Sequence, residues 1–103
     1  MSKNKIFNYH DKVQELLAGN QVDNEFLEVY LNKALSHNDR QVFRIALGDA
    51  IKGRNGGVSS LSKKTGISAD VIYRILRSNG SPKLLTLQKL LKGLGFLMKV
   101  TKK

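Results

Sequence analysis

The 103-residue chain has no cysteine, a single proline and only 8 acidic residues against 18 Lys and Arg. The missing cysteine excludes disulfides, thiolate metal sites and a cysteine nucleophile together. The longest apolar run, Gly93 to Met98, falls far short of the roughly 20 residues that a membrane span needs. The basic start Met1-Ser2-Lys3-Asn4-Lys5 is followed by no apolar stretch or small-residue cleavage site, so a cytoplasmic protein is expected. The shortage of acids leaves a formal charge of +10. So large an excess on one small domain points to a polyanionic partner, nucleic acid or an anionic surface.

What is present is unevenly distributed. Residues 1–40 carry five bases and six acids, whereas residues 41–103 carry 13 bases against Asp49 and Asp70 alone, a balance of +11. The boundary near residue 40 divides the chain into an N-terminal helical extension, 1–38, and a basic domain, 39–103. No role is assigned to residues 1–22.

The pattern is one of short helices. A two-turn helix is expected over Asp11 to Ala18, closed by Gly19, with Val13, Leu16 and Leu17 on one side. Asp23 can cap a second helix, with Phe26, Leu27, Tyr30, Leu31, Ala34 and Leu35 at helical spacing up to Ser36-His37-Asn38. Asp39 can cap a third, with Val42, Phe43, Ala46, Leu47, Ala50 and Ile51 in a wide apolar stripe; Gly53 to Gly57, with three glycines in five residues, ends it. Ser59 or Ser60 can cap a helix to about Thr65, and Ser68 one from Ala69 to about Ser78. A turn at Asn79-Gly80-Ser81-Pro82 precedes a last helix, Leu84 to Leu94. Phe96, Met98 and Val100 recur at period two, which predicts a short C-terminal strand.

Two short helices joined by a glycine-containing turn of three or four residues are the signature of a helix-turn-helix, here Ser60 to Leu76. Leu61 anchors the first helix, Gly66 makes the turn, and Ile67, Ile72, Ile75 and Leu76 face the core. At 100° per residue the opposite face of the second helix shows Asp70, Tyr73, Arg74 and Arg77, with Ala69 at its start. Arg74 suits guanine, Asp70 a cytosine amino group and Ala69 a thymine methyl, while Tyr73 and Arg77 suit a base edge or the backbone. Arg54, Ser59, Ser60, Lys63, Lys64 and Lys83 surround these and suit phosphate. A plainer alternative stays open: Lys63, Lys64, Lys89 and Lys92 as solvated charges, and Asp70 as a charge favoured at any helix start.

The residues Leu61, Gly66, Ile67, Ser68, Ile72, Leu76, Gly80, Pro82, Leu84, Thr86, Leu87, Lys89, Leu94 and Gly95 resemble the frame of phage-repressor helix-turn-helix domains. Tyr30 to Leu35, Asp39, Ala46 to Ala50, and Ile72 to Leu76 followed by Asn79 to Pro82 narrow the resemblance to addiction-module antidote proteins, HigA-like antitoxins. It covers roughly Asp23 to Val100. Lys83 and Leu85 depart from the family at the start of the last helix, as do Val58 and Ser62 around the first motif helix. The expected fold is therefore mainly α, a phage-repressor-like bundle with N-terminal helices and a short C-terminal strand.

The resemblance implies an antitoxin that neutralises a small RelE/ParE-class toxin and, as a homodimer, binds operator DNA to repress its own operon. Leu85, Phe96, Met98 and Val100 are the expected dimer contacts, since an unpaired strand edge invites a partner chain. The alternative is that the strand packs on the chain's own N-terminal helices. Asp23, Glu25 and Glu28 are the expected toxin contact, or else an acidic solvated helix face. A stand-alone phage-type repressor without a toxin shares every DNA-binding argument. An RNA-binding protein fits the charge but has few aromatics for stacking. No enzyme, metal or cofactor is expected: His10 and His37 lie far apart in the sequence, each reading as a surface or capping residue, and Gly53 to Gly57 lacks a phosphate-cradle pattern.

Overall fold

The computed structural model describes residues 10–16, 23–37, 39–54, 56–77, 82–100 and 102. These form six helices: α1 (residues 10–16), α2 (Asn24–Ser36), α3 (Arg40–Lys52), α4 (Gly57–Thr65), α5 (Ala69–Arg77) and α6 (Leu84–Gly93). The protein is mainly α. The expected end of the first helix at Leu17 to Gly19 and the turn at Asn79 to Ser81 lie outside the described residues.

The starts of α2 and α3 follow directly from the sequence. The Asp23 carboxylate accepts from the Phe26 amide at 2.8 Å, and that of Asp39 accepts from the amides of Gln41 and Val42 at 2.9 and 3.3 Å. Each bond satisfies a donor that the first helical turn leaves without a partner. The start of α4 differs from expectation. It begins at Gly57, with Gly56 rather than Ser59 or Ser60 at the cap, and no side chain caps it. The earlier start puts Val58 one turn before Leu61, so both pack on the core. Ser59 and Ser60 thus fall inside the first turn.

One hydrophobic core joins the elements, from Val13 of α1 and Leu27, Tyr30, Leu31 and Ala34 of α2 to Leu61, Ile72, Leu90, Leu91 and Leu94. The N-terminal helices and the basic segment share it. Helix α3 is the hub, packing on α2, α4 and α5, while α6 packs on α4. Where α6 meets α4, a Cβ on Gly93 would lie 2.6 Å from Thr65 Cγ2 and 2.8 Å from Leu61 Cδ1. Only glycine lets α6 approach α4 this closely. Gly93→Ala is expected to cost about 1–3 kcal/mol through overpacking, a fall in Tm of roughly 4–8 °C per kcal/mol for a domain of this size. An unchanged melt by circular dichroism would show that α6 shifts freely.

At the buried junction of α1, α2 and α3 lies a polar cluster outside the expectations drawn from the sequence. Asp49, on the inner face of α3, is 2 % exposed. It accepts from Tyr30 Oη at 2.6 Å and Gln14 Nε2 at 3.1 Å, and His10 Nδ1 lies 2.6 Å from its Oδ2. An ionised carboxylate only accepts, so the tautomer that fits carries its proton on Nδ1. His10 is therefore a partner of a buried acid rather than a surface or capping residue, while His37 does form the C-cap of α2.

The C-terminal segment corrects a second expectation. Gly95, at φ 96°, ends α6 in a Schellman arrangement: the Phe96 amide bonds to the Leu91 carbonyl at 2.8 Å and the Gly95 amide to that of Lys92 at 3.0 Å. Beyond it no strand is formed among the described residues. A strand requires a neighbouring extended segment, and a bundle of helices supplies none. Phe96 packs against the core while Leu97 and Val100 stand 81 % and 98 % exposed, so the alternation stops short of Val100.

Candidate nucleic-acid interface

Helices α4 and α5 are joined by Gly66-Ile67-Ser68, and each of the three residues has a definite task. Gly66 takes φ 75°, a conformation costly for any residue with a Cβ, and its amide closes α4 on the Ser62 carbonyl at 2.9 Å. Ile67 turns its side chain to the core, and its backbone is gripped from both sides: Ser62 Oγ donates to its carbonyl at 2.6 Å, and its amide donates to Thr65 Oγ1 at 3.2 Å. Ser68 caps α5, its Oγ accepting from the Val71 amide at 3.3 Å. The angle between the helices is thus set by local bonds as well as by packing.

Helix α5 is anchored along one side and open along the other. Ile72 is fully buried and Ile75 and Leu76 pack against the core. Arg44 of α3 donates to the Leu76 carbonyl at 3.4 Å, tying the end of α5 to the hub. The outward arc holds Asp70, Tyr73, Arg74 and Arg77, all exposed, with Ala69 half-buried at its start. The Arg77 Nε turns back to the Tyr73 carbonyl at 3.3 Å, whereas Arg74 makes no hydrogen bond or ion pair among the described residues. On α4, which packs against α5, Lys63 and Lys64 are exposed, as is Ser59, and Ser60 is half-buried. Lys83 is exposed at the cap of α6 and makes no capping bond there.

Arg54 is engaged elsewhere. Its Nε donates to the Leu94 carbonyl at 2.9 Å, Nη1 bonds to Asn24 Oδ1, and the guanidinium lies 5.1 Å from the centroid of the Phe96 ring. Desolvation by burial lowers its pKa from the ordinary arginine range. Arg54 therefore ties the start of α2 to the end of α6 and the residue that follows.

The remaining expected contacts are scattered. Leu85 is 71 % exposed, with Leu84 beside it, and Met98 and Val100 are exposed, but Phe96 is spent on the core and on Arg54. Of the three acids on and before α2, Asp23 is occupied as its cap, while Glu25 and Glu28 are exposed. Sequence reasoning missed the exposed Val29 and Leu35 of α2 and the buried Asp49. Asp49 had a visible signal: seven residues after Val42 and three after Ala46, it falls on the apolar stripe of α3.

These features define a small, strongly basic, mainly α protein with one rigidly mounted polar helix face. No group of three or more His, Asp or Glu suited to a metal occurs among the described residues, and no described helix is long and apolar enough to cross a membrane. A family model described as "probable addiction module antidote protein" matches residues 10–102, and the chain belongs to that family. Membership suggests an antitoxin role in a toxin–antitoxin module. A protein of Haemophilus influenzae, described as uncharacterized, is 30 % identical over 84 residues, which cover 82 % of this chain and 84 % of that protein. No solved structure matches the chain significantly.

Proposed function

We propose that the chain is an antitoxin that neutralises a RelE/ParE-class toxin in the cytoplasm and, as a homodimer, binds operator DNA through α4, its turn and α5 to repress its own operon. The observation that carries the DNA reading is the outward arc of α5. Asp70, Tyr73, Arg74 and Arg77 stand exposed on a helix whose other side is fixed to α3, and Lys63 and Lys64 are exposed on the adjoining α4. The major groove is wide enough to admit an α-helix, and this one, of about two and a half turns, offers guanidinium groups, a phenol and a carboxylate for base edges, with ammonium groups on α4 for phosphates. The two-helix unit with its three-residue turn supports reading it as a helix-turn-helix. Leu84, Leu85, Leu97, Met98 and Val100 supply apolar surface for a second copy, with Phe96 as the inner support of that segment rather than a direct contact.

The test is a fluorescence-anisotropy titration of a duplex taken from upstream of the gene, beside a scrambled duplex of equal length. Specific binding is expected. If about 6 to 10 phosphates are neutralised, affinity falls by about 10³ to 10⁵ between 50 and 200 mM salt. Equal affinity for the two duplexes, or a salt-independent curve, would overturn the operator reading.

A further inference from the structure

We infer that the solvent face of α2 is the docking surface for a basic protein partner, one that is held while α5 remains open to DNA. The inference rests on the antidote reading, which supplies the identity of that partner as the toxin.

Helix α2 buries Leu27, Tyr30, Leu31 and Ala34 on one side. At 100° per residue the residues facing away from that side include Glu25, Glu28, Val29, Asn32 and Leu35, and all five are exposed. The half-buried Lys33 borders this arc beyond Val29, no basic residue lies within it between Leu35 and Val29, and neither carboxylate makes an ion pair among the described residues. Val29 and Leu35 are each 46 % exposed and flank the polar strip on its two sides. Residues 1–40 carry five bases against six acids, so this strip belongs to the part of the chain that lacks the positive charge concentrated in residues 41–103.

The chemistry of the face selects its occupant. Nucleic acid is excluded, because the two carboxylates would meet phosphates. A second copy of the chain is disfavoured as well. A two-fold contact uses the same patch on both copies, so it would bring four carboxylates, Glu25 and Glu28 of each copy, into one interface. What fits is a different protein, with Lys or Arg opposite the carboxylates and apolar surface against Val29 and Leu35. The topology allows such a complex to form beside bound DNA, since of helices α3 to α6 it is α3 alone that α2 packs against. Asp23, held in its capping bond to the Phe26 amide, belongs to the scaffold of this surface and not to its contact strip.

The test uses the full chain and the purified product of the adjacent open reading frame, with affinity measured by calorimetry. The double variant E25K/E28K is expected to bind at least about 30-fold more weakly, because like charges set together across an interface cost several kcal/mol. V29S/L35S is expected to weaken binding about 10-fold, with a smaller change in salt dependence. The control D11K/E15K makes the same change in net charge on the exposed face of α1 and is expected to lose less than about threefold, since screened, distant charges contribute little. Melting curves establish that each variant is folded. If E25K/E28K loses no more than the α1 control, the docking surface is wrong while the antidote reading stands. If the wild-type chain and the neighbouring product form no complex, the pairing fails and the inference with it.

Discussion

Asp49→Ala is expected to remove about 3–5 kcal/mol of stability, the usual effect of deleting one member of a buried polar group whose partners stay behind. A domain of this kind has about 5–15 kcal/mol in all, so the loss is a large share of the total. Three donors converge on the carboxylate, from His10, Gln14 and Tyr30; the buried Tyr30 hydroxyl would be left without its acceptor, whereas the half-buried His10 and the exposed Gln14 can turn to water. The effect should be greatest for α1. Its fully buried anchor is Val13, worth about 1.5–3 kcal/mol. Its two bonds to Asp49 go to a charged acceptor, at about 1.5–3 kcal/mol each, and so outweigh the anchor. Urea denaturation should show the lower midpoint, and tryptic cleavage after Lys12 should become rapid while sites within α2 to α6 resist. A variant within about 1 kcal/mol of wild type, with Lys12 still protected, would mean that packing alone holds α1.

The same cluster makes the stability sensitive to alkali. Burial pushes the Tyr30 phenol well above the usual tyrosine range, and the hydrogen bond to Asp49 and the charges of Asp49 and Asp11 add to the shift. A group whose pKa is raised by folding contributes stability that is complete below its unfolded value, about 10, and is lost as pH rises beyond it toward the folded value. Stability should therefore decline above about pH 10. In Tyr30→Phe that part of the decline should vanish, although the variant starts lower for want of one hydrogen bond to Asp49. Identical alkaline slopes in the two proteins would place the sensitivity elsewhere.

The helices were legible in the sequence where local chemistry sets them. Asp23 and Asp39 announce the starts of α2 and α3, Gly66 and Ser68 delimit the turn, and Gly95 ends α6. The exposed arc of α5 follows from helical spacing alone. What escaped depends on partners distant in the chain. His10 and Asp49 are 39 residues apart and meet only because α1 folds onto α3. Arg54 read as a phosphate contact because nothing local shows that the end of α6 returns to it, 40 residues on. The C-terminal strand failed for a related reason. Period-two spacing at Phe96, Met98 and Val100 describes the chain's own pattern, but a strand also requires an edge to pair with, and among the described residues there is none. The start of α4 was missed because the need to bury Val58 outweighed the capping preference of serine.

Arg74→Ala and the double variant K63E/K64E are expected to weaken operator binding by different routes, and the difference tests how the surface of α4 and α5 is used. Arg74 is exposed at the centre of the outward arc, where a guanidinium can bond bidentately to guanine. Its removal should cost about 1–3 kcal/mol on the operator, a loss of roughly 5- to 150-fold, with little change on scrambled DNA. The ratio of specific to non-specific affinity therefore falls. On the proposed reading Lys63 and Lys64 meet phosphates, which carry no sequence information. K63E/K64E should weaken both duplexes alike and reduce the slope of log affinity against log salt by about 1 for each phosphate that is no longer neutralised. Neither variant should move the melting temperature appreciably, since the side chains are exposed and substitutions at such positions stay within about 0.5 kcal/mol. If Arg74→Ala lowers affinity for the two duplexes equally, Arg74 grips phosphate, and base reading passes to Asp70, Tyr73 and Arg77. If K63E/K64E leaves the salt slope unchanged, α4 lies away from the DNA backbone and the orientation proposed for the two helices is wrong.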